Sequence, residues 1–192
     1  MRILIGIHDD KNMWGNDSFY NNRWEELPDK WRDNIHSFLV SRYRTPAIKL
    51  ANINLYIQIR PMFPSGGYGN NKAKPENHKI WISSSCDVTE FNITLIHELR
   101  HLSWNIEHPY TDSLDTFKDG RFCRRFINAA RRNENAAIVA EKKYGHLQIL
   151  NFECAKHFWV TGEIISFSES SPESKVQRIT HKQELLFTEP PY

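Results

Sequence analysis

The residues with the clearest potential for chemistry are His97, Glu98 and His101, in the run His97-Glu98-Leu99-Arg100-His101. A helix turns by about 100° per residue, so histidines four positions apart lie one above the other on one face. From there their imidazoles can hold one metal ion, and neutral imidazole is a good ligand for zinc. Glu98 lies at the edge of the same face. It is therefore placed to act as a general base on a water that the metal acidifies, rather than to bind the metal itself.

The helix that carries these residues is predicted to lie in the core. Apolar side chains surround the motif: Ile93, Leu95, Ile96, Leu99 and Leu102. A buried helix that also contains two histidines and a glutamate must supply them with partners, because unpaired polar groups are costly to bury. Asp87 and Glu90 match a capping box, which predicts that the helix begins at Val88 and continues to about Trp104.

The stretch from Thr94 to Leu102 resembles the active-site helix of the zincin metallopeptidases. It differs from that signature at Arg100, where an uncharged residue is usual, and at Ser103, where an apolar one is usual. The resemblance extends to the small intracellular peptidases of the ImmA/IrrE-like and SprT-like groups and to the gluzincins. It covers residues 79–104 and, more loosely, 130–145.

This resemblance implies a zinc-dependent peptidase in which Glu98 is the general base. It also implies a substrate strand that pairs with the edge of a sheet above the active-site helix, for which Ile80–Ser84 is the candidate. The rival interpretation is a non-catalytic metal-binding or structural protein that uses the same scaffold.

A catalytic zinc has three protein ligands and one open position, so a third ligand must come from elsewhere in the chain. Gluzincins supply a glutamate from a later helix in a Glu-x-x-Ala setting, and the run from Asn133 to Ala137 resembles it. Glu134 is therefore the first candidate. Three other carboxylates stay open as alternatives: Glu141, Asp119 and Glu107.

Two further features bear on function. A group that stabilises the transition state should donate to an oxyanion, and the candidates are Tyr110, Tyr144 and His146. Five arginines form a basic stretch: Arg121, Arg124, Arg125, Arg131 and Arg132. A solvated helix face is the simpler interpretation of this stretch. A phosphate-binding stripe, and so a nucleic-acid partner, is the alternative.

Short apolar runs and helical stretches alternate along the chain, which is typical of an α+β protein. Strands are expected at 2–7, 52–60 and 79–84, forming a sheet over a helix at 88–104. In 52–60, isoleucine and leucine alternate with polar residues, which indicates one buried face. By the resemblance the fold is zincin-like, with a small mixed sheet packed on the active-site helix.

The other segments are assigned from periodicity and turn residues. A helix is expected at 29–43, and the glycine- and proline-rich stretch 61–78 is expected to be a loop or a wide hairpin connection. Further helices are expected at 113–131 and at 134–144, the second capped by Asn133.

The C-terminal part changes character. Strands are predicted at 158–168 and at 176–187, split by a turn rich in serine, proline and glutamate. We therefore divide the chain into a metallopeptidase domain, 1–157, and a C-terminal strand pair, 158–192, packed on it.

Composition limits the possible classes of protein. The 192 residues suffice for a compact domain, and 25 basic against 23 acidic side chains give a net charge of +2 that does not compel a nucleic-acid partner. Three widely spaced cysteines indicate a reducing compartment rather than a disulfide framework. The apolar run at 3–7 is too short for a signal peptide or a membrane span. We expect a cytoplasmic protein with a protein or peptide substrate and no membrane contact.

Overall fold

The computed structural model describes residues 1–7, 23–61, 66–71, 74–108, 117–118, 121–122, 124–167 and 176–179. Within these ranges the chain is a mixed α+β protein. The helices are α1 Asp29–Arg42, α2 Ala47–Leu50, α3 Val88–Glu107, α4 Arg124–Tyr144 and α5 Phe152–Thr161. The strands are β1 Arg2–Ile7, β2 Glu25–Glu26, β3 Asn54–Arg60, β4 Gly66–Asn71, β5 Lys74–Ser83, β6 Phe117–Lys118, β7 Arg121–Phe122, β8 Ile164–Phe167 and β9 Val176–Ile179.

A five-stranded mixed sheet with the order β2-β1-β3-β5-β4 forms the centre of the molecule. Strands β1, β3 and β5 run parallel, and the register aligns Ile5 with Ile57 and Ile57 with Ile80. All three isoleucines are fully buried. Branched side chains suit a pleated, buried surface, which explains why these segments form strands. The two edge strands, β2 and β4, run antiparallel to their neighbours.

The three predicted sheet strands are present, with different bounds for β3 and β5 and with one difference in the burial of β3. Leu55, Ile57 and Ile59 face one side and are fully buried, as the alternation predicts. The opposite face is not simply exposed, because Gln58 is also buried. A strand in the middle of a parallel sheet is covered on both faces, and this overrides the expectation of a single buried face.

Helix α3 packs its apolar side on this sheet. Phe91, Leu95 and Leu99 are fully buried, and each such side chain contributes about 1.5–3 kcal/mol through removal from water. Both hydrogen bonds of the predicted capping box are present. The N–H of Glu90 donates to Oδ1 of Asp87 at 2.8 Å, and the N–H of Asp87 donates to Oε2 of Glu90 at 3.3 Å. The start of α3 is thus as predicted, and its end lies three residues beyond Trp104.

The stretch 61–78, predicted to be a loop or a wide hairpin connection, instead contributes residues to two strands of the sheet. Residues 66–71 form the edge strand β4, and β5 begins at Lys74 rather than at Lys79. Glycine normally weakens strands, so the glycines of this segment argued against a strand in the sequence analysis. The contacts that require glycine there are described with the site below.

The predicted helices at 113–131 and 134–144 are also wrong in their bounds. Residues 117–118 and 121–122 pair as two short antiparallel strands, and one continuous helix, α4, follows from Arg124. The basic stretch is therefore divided between β7 and α4 instead of following one helix. Asn133 lies inside α4 and is therefore not a helix cap. Its side chain instead forms a hydrogen bond with His101 on α3.

The C-terminal part combines a helix with a short hairpin. Phe158, the predicted start of a strand, belongs to α5. Asn151 caps this helix by accepting from the N–H of Cys154 at 3.0 Å, and Gly162, with φ 76°, ends it in the left-handed conformation. Strands β8 and β9 pair antiparallel, as predicted, and residues 180–187 of the second predicted strand lie outside the described residues.

No helix within the described ranges combines the length and the apolar character needed to cross a membrane.

Candidate metal centre

The predicted motif lies in a cleft between two helices and an edge strand. Helices α3 and α4 pack against each other, and β4 passes over α3 beside them. Helix α3 contributes His97, Glu98 and His101, and α4 contributes Glu134 and Glu141. The cleft has a volume of about 640 Å³. Donor atoms of His97, Glu98 and His101 lie within 4.8 Å of one another, so this group could hold a metal ion.

Hydrogen bonds from α4 fix the orientation of both imidazoles. Oε1 of Glu141 lies 2.5 Å from Nδ1 of His97, and Oδ1 of Asn133 lies 3.0 Å from Nδ1 of His101. Both oxygens accept, so each Nδ1 is the donor, and in the neutral form of each ring the lone pair is then on Nε2. The two Nε2 atoms are 2.9 Å apart. Two lone pairs repel at this distance unless a cation or a proton lies between them. The hydrogen bonds from Nδ1 to α4 therefore leave the Nε2 atoms of both histidines able to bind a metal ion.

Glu134 faces the same two nitrogen atoms. Its Oε1 lies 3.8 Å from Nε2 of His97, and its Oε2 lies 3.5 Å from Nε2 of His101. In a tetrahedral zinc site with bonds of about 2.0–2.2 Å, ligand atoms are about 3.4 Å apart. The two histidines and Glu134 thus have the composition and roughly the spacing of a three-ligand zinc site.

Two carboxylates, those of Glu98 and Glu134, compete for the role of third ligand. Glu98 belongs to the group whose donor atoms lie mutually within 4.8 Å, but it is only 5% exposed. Glu134 has a side chain that is 54% exposed, and both of its oxygens approach the two nitrogens. With Glu134 as the third ligand, Glu98 stays available to act on a water at the open position. We therefore favour Glu134 as the ligand, and this assignment stays a prediction.

Glu98 has the surroundings of a reactive carboxyl group. Its Oε2 is buried and has no hydrogen-bond partner among the described residues. Burial, and then the negative charges of Glu134 and Glu141, raise the pKa of Glu98 to about 8. A buried carboxyl oxygen that makes no hydrogen bond within the fold is costly, and such groups are typical of functional sites.

The edge strand β4 lies so close to α3 that one of its residues must be glycine. A Cβ atom on Gly66 would lie 2.3 Å from Cγ2 of Thr94 and 2.9 Å from Oε1 of Glu98. On the opposite face of the strand, a Cβ on Gly69 would lie 2.8 Å from the Trp81 indole. Tertiary contacts on both faces therefore select the glycines of this strand, which sequence patterns alone do not reveal.

Replacing Gly66 by alanine is expected to lower the free energy of unfolding by about 1–3 kcal/mol, because the added methyl group displaces β4 from Thr94 and Glu98. Gly67→Ala is the matched control. Its methyl group would meet Cε3 of Trp81 at 3.3 Å, a longer contact than those at Gly66, so a smaller loss is expected. Urea unfolding of both variants measures the difference. Equal stability of the two variants would show that the close approach at Gly66 does not hold.

Tyr68 is a residue of the cleft that the sequence did not single out. Its ring lies 6.4 Å from that of His101, at an angle of 29°, and its hydroxyl group shares a hydrogen bond of 2.8 Å with Nδ1 of His78. The only sequence signal was the unusual run Gly66–Gly69, in which Tyr68 is the one side chain. Strand β4 thus places the phenol ring of Tyr68 near the ring of His101.

His78 supports Tyr68 from the buried face of β5. It is only 3% exposed, and burial lowers its pKa from 6.5 to about 4, although Glu76 acts in the opposite direction. His78 therefore gains a proton below about pH 6.5 in the unfolded chain, but only below about pH 4 in the folded protein. Stability is lost as the pH falls through this window, by roughly 3 kcal/mol in total.

Replacing His78 by asparagine is expected to remove this part of the acid destabilisation. The variant is less stable at neutral pH, because the smaller side chain leaves a cavity, but it loses less stability between about pH 7 and about pH 4.5. Urea unfolding of both metal-free proteins at the two pH values measures the difference. Equal losses in the two proteins would mean that His78 does not stay neutral in the folded state.

The other predicted site residues lie elsewhere or are not described. Tyr144 packs against Tyr43, with ring centroids 6.0 Å apart, and does not line the cleft. Glu107 accepts a hydrogen bond from Oγ of Ser103 at 3.2 Å. His146 is exposed beyond the end of α4. Two further candidates, Tyr110 and Asp119, lie outside the described residues.

The chain was compared with protein-family models, with curated proteins and with solved structures, and no significant match was found in any of the three comparisons. Inference about function therefore depends on the residues of the cleft and their geometry.

Proposed function

We propose that this protein is a zinc-dependent metallopeptidase of the zincin type. The observation that carries the proposal is the pair of Nε2 atoms on His97 and His101, which lie 2.9 Å apart while the Nδ1 atom of each ring contacts an oxygen on α4. Glu134 approaches both nitrogens from the open side of the cleft, and the buried Glu98 lies next to the pair. This arrangement combines a metal site with a general base in a cleft that is open to a substrate.

His97, His101 and Glu134 would hold the ion. A histidine pair with one carboxylate suits zinc, and the hydrogen bonds from Asn133 and Glu141 keep each ring in the orientation that ligation needs. When bound, zinc supplies Lewis-acid chemistry: it acidifies a water molecule and polarises the scissile carbonyl group.

The role we assign to Glu98 follows from its position. Its carboxyl group is held between α3 and β4, where Oε1 is close to Gly66 and Oε2 has no hydrogen-bond partner among the described residues. In its ionised form, which a metal cation beside it would favour, Glu98 takes the proton from the attacking water and then delivers it to the leaving amine.

The edge of the sheet supports a peptide as the substrate. The candidate edge from the sequence, Ile80–Ser84, is wrong, because β4 pairs with β5 and covers it. Strand β4 is itself the edge beside the cleft, with Gly66 and Tyr68 on the side of the histidines. An extended peptide can add to such an edge through main-chain hydrogen bonds, which brings its backbone past the metal ligands.

The test is hydrolysis of a pooled peptide library, analysed by mass spectrometry, with metal-free protein and with protein reloaded with zinc. We expect cleavage only after zinc is added, and loss of cleavage when a chelator removes it. Binding of zinc without cleavage of any peptide would overturn the peptidase proposal and favour a non-catalytic metal-binding protein. Failure to bind zinc would overturn both.

A further inference from the structure

A second cleft lies on the side of α4 away from the metal centre, between α4, α3 and the end of α1. It has a volume of about 410 Å³. Four of its lining residues are cationic: Arg42, Arg44, Arg100 and Lys143. Within the described part of the chain, no carboxylate lines this cleft, and none of the four cations forms an ion pair. An anion that binds in this cleft therefore meets positive charge and no competing carboxylate.

The backbone at Arg44 has the left-handed conformation that commonly ends a helix. Arg44 has φ 58°, directly after α1 ends, and the N–H of Thr45 donates to the carbonyl oxygen of Leu39 at 3.1 Å. Glycine is the usual residue at such a position, because a side chain there adds strain. In this protein the position carries an arginine, and that arginine lines the second cleft.

Arg100 links this second cleft to the active-site helix. Its guanidinium lies 5.4 Å from the ring centre of Tyr43 and 5.6 Å from that of Trp104, and it donates to Oγ of Ser103 at 3.1 Å. Arg100 and Ser103 are the two positions at which the motif departs from the zincin signature. In the structure Arg100 lines the second cleft, Ser103 is buried beneath it as its hydrogen-bond partner, and neither lines the metal centre.

The wall of the second cleft is apolar and aromatic. Val139 is 60% exposed and lines the cleft, and Ala136 lies about one turn before it. The ring of Tyr144 also lines the cleft, and Nζ of Lys143 lies 5.2 Å from its centre. A ligand that fits must therefore combine an anionic group with a flat or apolar body.

We propose that this cleft binds a nucleoside phosphate. The phosphate group lies among Arg42, Arg44 and Lys143, because a phosphate offers several acceptor oxygens and up to two charges, whereas a carboxylate is satisfied by one arginine. The base lies against Val139 and Tyr144, where stacking does not depend on its identity. The ligand is either a free mononucleotide or a nucleotide of a single strand. This proposal does not depend on metal binding or peptidase activity.

The test uses fluorescence anisotropy with a labelled adenosine monophosphate and with a short labelled single-stranded oligodeoxynucleotide. The main variant is Arg44→Gly, since glycine relieves the backbone strain while the positive charge is lost. We expect affinity to fall about tenfold, as for a lost charged hydrogen bond, whereas the melting temperature rises. Lys143→Met is expected to weaken binding to a similar degree.

Lys142→Met is the matched control, because Lys142 is the exposed neighbour on α4 and does not line the cleft. We expect it to bind like the wild type. Binding of the mononucleotide assigns a free nucleotide as ligand, and binding of the oligonucleotide alone assigns a strand. The proposal is overturned if neither probe binds the wild type, or if Arg44→Gly and Lys142→Met bind equally well.

Discussion

Replacing Glu98 by glutamine is expected to lower the rate of peptide hydrolysis by about 10²–10⁴-fold, the usual contribution of a general base. Glutamine has nearly the same shape as glutamate, so the contact with Gly66 and the packing of α3 are preserved. It cannot accept a proton from water at any ordinary pH. His97, His101 and Glu134 are unchanged, and the variant should therefore bind zinc as the wild type does.

The measurement is the turnover of a cleaved peptide, combined with elemental analysis of the zinc content. Glu153→Gln is the control, because Glu153 is an exposed glutamate on α5, remote in sequence from the motif. It should leave turnover unchanged. Undiminished hydrolysis by a zinc-loaded Glu98→Gln variant would remove Glu98 from the mechanism. Loss of zinc from that variant would instead identify Glu98 as a metal ligand.

The local features of the site were predictable because local rules determine them. The spacing of His97 and His101 places both rings on one face of any helix, and the capping box from Asp87 to Glu90 fixes where that helix begins. The apolar residues of β1 and β3 likewise predict buried strands. Each of these features depends on residues that are close together in the sequence.

The features that were missed depend on residues far apart in the sequence. Strand β4 is rich in glycine, and only the Trp81 indole on one face and Thr94 on the other make those glycines favourable. Asn133 looked like a helix cap, since asparagine commonly is one. Its actual partner, His101, is 32 positions away. No local pattern contains such information.

The roles of Glu134 and Glu141 show the same limit within the site. They lie seven positions apart on α4, about two turns, and so share one face of the helix. Sequence alone could rank them but not assign their roles. In the structure Glu141 accepts from Nδ1 of His97, on the far side of the ring from the metal site, whereas Glu134 faces both Nε2 atoms. One carboxylate orients a ligand, and the other is placed to be one.

Replacing His101 by alanine is expected to abolish zinc binding, because one of three ligands is lost and the remaining two cannot hold the ion against competing water. We expect about one zinc per wild-type chain and none in the variant, by elemental analysis without added metal. His146→Ala, which removes an exposed histidine outside the cleft, is the control and should keep its zinc. Retention of zinc by His101→Ala would mean that the ion binds elsewhere.

The same measurement separates the two glutamates of α4. Glu141→Gln leaves all three proposed ligands in place and removes only the charged partner of His97, so zinc affinity should fall by about 10–100-fold. Glu134→Ala removes a ligand, and its loss should approach that of His101→Ala. A larger loss in Glu141→Gln than in Glu134→Ala would reverse the two roles. The open side of the cleft would then contribute no ligand, and Glu134, with 54% of its side chain exposed, would be a surface residue at its rim.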